Sequence, residues 1–300
     1  MQIAQLEAFL AVTEAASFSR AAEHLHLSQP AVSKRISSLE RDLEATLFDR
    51  VGKRIYLTDA GNLLRPRAES LLAGIADTRR LLQNQHARID GPLSLATSHH
   101  VGLHHLAPIL KTFSRTHEAV NLDIRFEDSE AAHDLVRRAS SELAVVTLNP
   151  QGDSELFYEP LWDDPLCFIV AADHELAGSR GIDLASLAEY PVILPGLGTY
   201  TGRIVAATFD ARNVPLRPAL STNFLETIAM LVSIGLGWSV LPASMVSEGL
   251  VRLQTDAPEL HRTLGCVLNP RRTLSNAARA FLEILLSSKD PVAQLAHDSA

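Results

Sequence analysis

Cysteine is almost absent from this chain, with Cys167 and Cys266 the two in 300 residues. That number excludes a framework of disulfides. Each stands inside an apolar, strand-like run (LCFIV and LGCVL), which favours two separately buried thiols packing as small hydrophobes over a redox pair. Long apolar runs are lacking too. The best stretch, residues 228–241, contains Ser233, two glycines and Trp238, short of the ~20 apolar residues that cross a bilayer. The opening MQIAQLEAFLAVTEAASFSR has neither a basic leader nor a small-residue cleavage site, so a cytoplasmic protein with no membrane partner is expected. No Walker loop and no HExxH motif occurs, and GLGTYTG at 196–202 lacks the GxGxxG spacing, which makes enzyme readings poor.

An excess of positive charge is missing as well. The formal net charge is -8, which on its face argues against nucleic acid, but its distribution matters more. Residues 1–58 hold seven Lys/Arg and seven Asp/Glu and so are neutral, with the cations clustered at 34, 35, 50, 53 and 54. The whole deficit lies in the remaining 242 residues. An acidic body keeps itself off phosphates and leaves the neutral head suited to them.

What is present begins with helical periodicity. Ile3, Leu6, Phe9, Leu10 and Val12 predict a first amphipathic helix over 3–15. Ser17 reads as the cap of a second, short helix over 18–25, and Ser28 as the cap of a third that carries Val32, Ile36, Leu39 and Leu43 on one face, with Pro30 in its first turn. Residues 47–57, LFDRVGKRIYL, switch to short strand-like pieces around Gly52, the pattern of a two-stranded wing. Residues 58–86 return to helical period, a rod of roughly 45 Å whose apolar seam wants a partner helix. Gly91 and Pro92 stop it. Beyond them the runs LSLAT, VNLDIRF, ELAVVT, LCFIVA, PVILP, WSVLP and TLGCVL alternate with helical stretches at 103–117, 129–140, 201–212 and 223–234. This implies an α/β fold with mostly parallel pairing, in two small lobes rather than one large sheet.

On the third helix the polar face opposite the apolar one carries Pro30, Ser33 and Lys34, with Gln29 at its N-terminal end. A helix placed in a major groove presents such residues to base edges: a Gln amide pairs bidentately with adenine, a Ser hydroxyl donates or accepts, and Lys meets phosphate or guanine. Arg50, Lys53 and Arg54 around the wing turn would reach backbone or minor groove. The bland alternative is a solvated helical surface.

Residues 18–64, and above all AAEHLHLSQPAVSKRISSLERDLEATLFDR followed by LTDAG, resemble the DNA-binding segment of the LysR-type transcriptional regulators, and the order of elements extends the resemblance over essentially the whole chain. The resemblance implies a winged helix-turn-helix over 1–58, a linker and dimerisation helix over 59–90, and a two-lobed, periplasmic-binding-protein-like α/β sensor over 91–300. Lobe I would take about 91–163 plus 267–300, and lobe II about 164–266. It further implies a homodimer or homotetramer, promoter DNA and RNA polymerase as partners, and closure of the sensor on a small effector.

Within that sensor, strand LSLAT ends at Thr97, and Ser98, His99 and His100 lead into a helix, where unpaired backbone N–H groups suit an anion. Thr147 and Thr201 lie at other strand and helix ends, where ligands of doubly wound sheets bind. The alternative for Ser98 is simple capping. These loops also resemble the cysteine-biosynthesis and sulfur-assimilation branch of the family, which implies that Ser98, His100, Thr147 and Thr201 ligate sulfate or a related small oxyanion such as sulfite, with thiosulfate and acetylserine as further candidate effectors. His100 departs from the threonine of that branch; protonated near pH 6 to 7, it would strengthen anion binding. Histidines 99, 100, 104 and 105 raise a metal site, but no carboxylate or cysteine lies close in sequence to complete a set, so neither metal nor cofactor is expected. The rivals to a regulator are a free-standing binding module of periplasmic-binding-protein type and an α/β enzyme.

Overall fold

The computed structural model describes residues 1–52, 54–85 and 88–290; Lys53 and the side chain of Arg50 lie outside the described residues. The chain forms two compact units, Met1–Gln85 and His86–Ala300. In the first, helices α1 (Ile3–Ala15), α2 (Phe18–His24) and α3 (Gln29–Leu43) precede a ribbon of β1 (Phe48–Val51) and β2 (Arg54–Leu57), and α4 (Asp59–Gln83) closes it. The caps explain the boundaries. Ser17 accepts from the Arg20 N–H, Ser28 from Ala31 and Thr58 from Gly61, each satisfying an N-terminal donor that the helix leaves unpaired. Ala16 and Glu44, both in left-handed backbone, end α1 and α3.

Phe9, Val12, Val32, Ile36, Leu39 and Leu47 form the core of this unit, and Phe9 and Phe18 both pack on Phe48, with ring centroids 5.4 and 5.9 Å apart. Two expectations need correction. Leu43 is 37% exposed, because α3 ends there and the left-handed Glu44 turns the chain away, so the buried stripe is Val32, Ile36 and Leu39. Helix α4 stops at Gln83, and its 25 residues make a rod of about 37 Å.

The second unit centres on one seven-stranded sheet. Strands β3 (Gly91–Thr97), β4 (Val120–Phe126) and β5 (Leu143–Thr147) pair in parallel, while β6 (Phe157–Ala171), β10 (Ser239–Pro242), β11 (Leu250–Arg252) and β13 (Leu260–Leu268) join antiparallel. Short parallel pairs β7 (Arg180–Ile182) with β12 (Gln254–Thr255), and β8 (Ile193–Leu194) with β9 (Leu220–Ser221), lie apart. The helices are α5 (His99–Val101), α6 (Ala107–Thr116), α7 (Ser129–Arg137), α8 (Leu184–Leu187), α9 (Tyr200–Asp210), α10 (Leu225–Ser233) and α11 (Asn276–Leu286). A π-helical turn, Gly102–Leu106, joins α5 to α6.

Pairing is therefore mixed, not mostly parallel, and the reason is β6. Its fifteen residues include Pro160 and Pro165, which break a strand pattern in sequence. The fold absorbs Pro160 opposite Gly265, where β6 bulges by one residue at Leu161. Gly265 is required by contact, since a Cβ there would lie 2.5 Å from the Glu159 carbonyl.

The apolar side chains around the sheet separate into distinct cores. Leu93, Leu95, Leu106, Phe113, Leu161 and Phe281 belong to one, with a neighbouring cluster around Val136 and Val146. Phe168, Phe209 and Trp238 belong to another, with a neighbouring cluster around Ile169, Leu225 and Ile228. Strands β6 and β13 run through both, contributing Leu161 and Leu264 to the first and Leu166 and Leu260 to the second. Among the described residues no helix is long and apolar enough to cross a membrane.

Phe9 is fully buried, so Phe9→Ala should destabilise the first unit by about 3–5 kcal/mol. Denaturant titration followed by helical circular dichroism on the wild-type and variant chains measures it; a loss below about 1 kcal/mol would contradict this packing.

Candidate functional site

A cavity of about 270 Å³ in the second unit gathers the sensor residues from separate elements. Ser98, His99 and His100 reach it from the start of α5, Thr147 from the end of β5 and Thr201 from the first turn of α9. Thr97 does not line it. Its hydroxyl, fully buried, donates to the Val145 carbonyl at 2.8 Å and so ties β3 to β5; its expected effector role is corrected to a structural one. Ser98 occupies the N-cap position of α5 without a side-chain capping bond, so the capping alternative is not realised. His99 sits edge-on to Phe126 and Phe224, two aromatic walls of the cavity.

Two donors at the start of α9 are already engaged. Thr199 accepts from the Gly202 N–H at 3.0 Å, and the Glu130 carboxylate, from α7, accepts from the Tyr200 N–H. A helix N-terminus expected to hold an external anion thus holds an internal one. Gly202 lets the backbone at Gly196 pack against this helix start, since a Cβ there would lie 2.2 Å from the Gly196 carbonyl. Two further carboxylates, Glu127 and Asp128, line the cavity, and Asp128 accepts from the Asn223 amide at 2.6 Å.

Arg262 is a charged residue that sequence reasoning missed. It is buried on β13, donating through Nε to Asp164 at 2.7 Å and through Nη1 to the Thr201 hydroxyl at 3.0 Å. Its signal was faint but real: it stands between Leu260 and Leu264 on the inward side of β13, where a strand of period two buries its residues. Glu130, Asp164, Asn223 and Glu226 gave no such signal.

His100 is 4% exposed, and among the described residues neither ring nitrogen has a hydrogen-bond partner. Burial, then the Arg262 guanidinium, then His104 and His105 push its pKa down to about 3. The ring is therefore neutral at pH 6 to 7, which overturns the expectation that its protonation there strengthens anion binding.

In the first unit, Gln29, Pro30 and Lys34 are exposed on α3 and Ser33 is half-buried; the Gln29 amide donates to the Ser33 hydroxyl at 2.9 Å. Arg54 is exposed at the start of β2. The two cysteines are buried and unpaired, and burial raises both thiol pKa values.

Comparison with known proteins gives a consistent pattern. A family model described as bacterial regulatory helix-turn-helix protein, lysR family, matches residues 3–62, and one described as LysR substrate binding domain matches residues 86–290. A RuBisCO operon transcriptional regulator of Allochromatium vinosum is 30% identical over 293 residues, covering 96% of each chain. The HTH-type transcriptional regulator CysL of Bacillus subtilis is 25% identical over 288 residues, covering 94% of this chain and 96% of its own. Among solved structures, a full-length OxyR variant from Pseudomonas aeruginosa superimposes with a TM-score of 0.68 at 25% identity, over 96% of this chain and 94% of that one. Full-length CbnR complexed with its target DNA does so at 0.63 and 20% identity, over 96% and 100%, a likeness of fold alone.

Burial also lowers the pKa of His133, another buried imidazole. Rings held neutral in the folded chain take up protons on unfolding, so their contribution favours the fold above pH 6.5 and turns against it as pH falls below that value. Each steepens the loss by up to about 1.4 kcal/mol per pH unit. Melting temperature measured from pH 7.5 to 5 should fall on the acid side, and less steeply in His133→Gln; an unchanged profile in that variant would remove His133 from the account.

Proposed function

The chain belongs to the LysR family of DNA-binding transcriptional regulators, and on that premise we propose that Gln29, Pro30, Ser33, Lys34 and the wing residues Arg50, Lys53 and Arg54 contact promoter DNA. The support is the exposed polar face of α3, set against the buried Val32, Ile36 and Leu39. Reading adenine takes both atoms of the Gln29 amide, so on DNA it must exchange its bond to Ser33 for the base edge.

The same reading divides the chain into a DNA-binding domain over 1–58, a linker helix over 59–90 and an effector domain over 91–300. The effector domain has lobes at about 91–163 plus 267–300 and at 164–266. The separation of the cores between Trp162 and Leu166 on β6 supports the first boundary; on β13 the cores separate between Leu260 and Leu264, a few residues before 267. Helix α4 exposes Leu63, Leu71, Leu81 and Leu82, an apolar surface suited to a second copy in a homodimer or homotetramer. Contact with RNA polymerase in the cytoplasm, where such a regulator meets its promoter, completes it.

For the effector, one observation carries the choice: Glu127, Asp128 and Glu130 share the cavity with the hydroxyls of Ser98, Thr147 and Thr201. Sulfate, sulfite and thiosulfate would meet those carboxylates with no free cation among the described lining residues, because Arg262 is engaged by Asp164. The zwitterion acetylserine offers an ammonium to the acids and oxygens to the hydroxyls. A volume of about 270 Å³ also exceeds what a tetrahedral oxyanion fills, being room for several waters. The likeness to CysL adds little at 25% identity.

Two measurements test this reading. Promoter affinity should fall at least tenfold in Gln29→Ala with Lys34→Ala, and its salt dependence should weaken by about one counterion for the lysine; unchanged affinity would sink the DNA assignment. In thermal-shift titrations acetylserine should raise the melting temperature and the three oxyanions should not. Ser98→Ala with Thr201→Ala should abolish that response with promoter affinity kept within about twofold. A response to sulfate alone would reverse the effector choice.

A further inference from the structure

We propose that His100, His104 and Glu226 form a binding site for a divalent transition metal of the zinc class, built across the two cores of the second unit. His100 stands on α5, His104 in the π-helical turn that follows, and Glu226 in the first turn of α10, more than a hundred residues later in the chain. The fold thereby supplies the carboxylate that the sequence neighbourhood of the histidines lacks.

The distances suit a metal. His104 Nε2 lies 3.1 Å and His100 Nδ1 3.7 Å from Glu226 Oε1, and one ligand atom from each residue falls within 4.8 Å of the others. Ligand atoms around tetrahedral zinc, at bonds of ~2.0–2.1 Å, are about 3.4 Å apart. The His104–Glu226 contact alone leaves the cluster unfinished. Among the described residues both ring nitrogens of the buried His100 and the buried Oε2 of Glu226 lack hydrogen-bond partners. Buried polar atoms in this state call for a missing group, and one cation in the centre would serve all three residues.

The surroundings fit the same assignment. A π-turn is a rare insertion into a helix that concentrates at functional sites, and here it spans GLHHL. His105 of the same turn packs on Trp162, with tilted rings and centroids 4.9 Å apart. Two imidazoles and one carboxylate select a zinc-class metal over calcium or magnesium, and three protein ligands leave one coordination position open.

Anchoring gives the site a consequence. Val101 and Leu106, which bracket His104, pack into one core, whereas Leu225 and Ile228, which flank Glu226, pack into the other. A metal bound here ties the two cores together and favours this arrangement of them, whatever the effector proves to be.

The test uses full-length protein stripped by a chelator and titrated with Zn²⁺ against a chromophoric competitor. One zinc per chain is expected, with affinity falling at least tenfold in both His104→Ala and Glu226→Gln. The His104 side chain is 45% exposed, so its removal leaves the core intact, and circular dichroism of the variant checks this. Cobalt(II) loading should give the visible absorption of a four-coordinate site in the wild type and lose it in His104→Ala. Failure to bind zinc at one equivalent, or binding that survives both substitutions and so belongs to surface histidines, would overturn the proposal.

Discussion

The second unit depends on the buried pair of Arg262 and Asp164. The two residues face each other in register on β13 and β6, where these strands pass from one core to the other, and each side chain is about 5% exposed. Desolvating two charges is costly, and such a pair adds little net stability over apolar residues of the same volume. Breaking it is a different matter: removing one partner leaves a lone buried charge, a loss of about 3–5 kcal/mol. The pair therefore acts as a register pin. A slip of β13 by one residue would turn Arg262 towards the opposite face and strand Asp164, so the bulge at Leu161 and the pairing of both strands are selected together.

The same guanidinium organises the cavity. By donating to Thr201 it fixes the first turn of α9, and its field, added to burial, helps hold His100 neutral. Having met Asp164, it brings little net charge of its own. The cavity is consequently lined by many donors and acceptors, with the carboxylates of Glu127, Asp128 and Glu130 among them. Contacts that cross between the cores around it include Glu130 to the Tyr200 N–H, Asp128 to Asn223 and Glu226 to His104. Any molecule that shifts the balance between lobe arrangements must do so by gaining or losing such contacts differentially, since equal affinity for two states shifts nothing.

The first unit was legible because its signals are local. Ser17, Ser28 and Thr58 cap helices three residues from their partners, and the wing turns at Gly52, so each boundary is written within a few positions of itself. In the second unit the strand ends that carry Ser98 and Thr147 and the helix start at Thr201 were visible by the same kind of rule. What stayed hidden was long-range. Arg262 and Asp164 are 98 residues apart, and His104 and Glu226 are 122 apart; nothing at either end names its partner. Strand β6 was half seen for a related reason: its prolines look like breaks until pairing with β13 places one of them opposite Gly265, beside a bulge at Leu161. Leu43 shows the opposite failure, a correct helical phase extended past the point where Glu44 ends the helix.

Glu130 shows why local signals at a binding site mislead about what binds there. The start of α9 has the hydroxyls, the glycine and the helix dipole that suit an anion, and the reading of an anion site follows from them correctly. The fold fills that site from α7, with a carboxylate already attached to the chain. An internal ligand has a high effective concentration, in the millimolar range or above for a short tether. A free oxyanion must outcompete it and overcome Glu127 and Asp128 besides, whereas a ligand bearing a cation can leave Glu130 in place and use it. The carboxylate thus occupies an anion acceptor at the start of α9 from within the chain, through a contact that joins one core to the other.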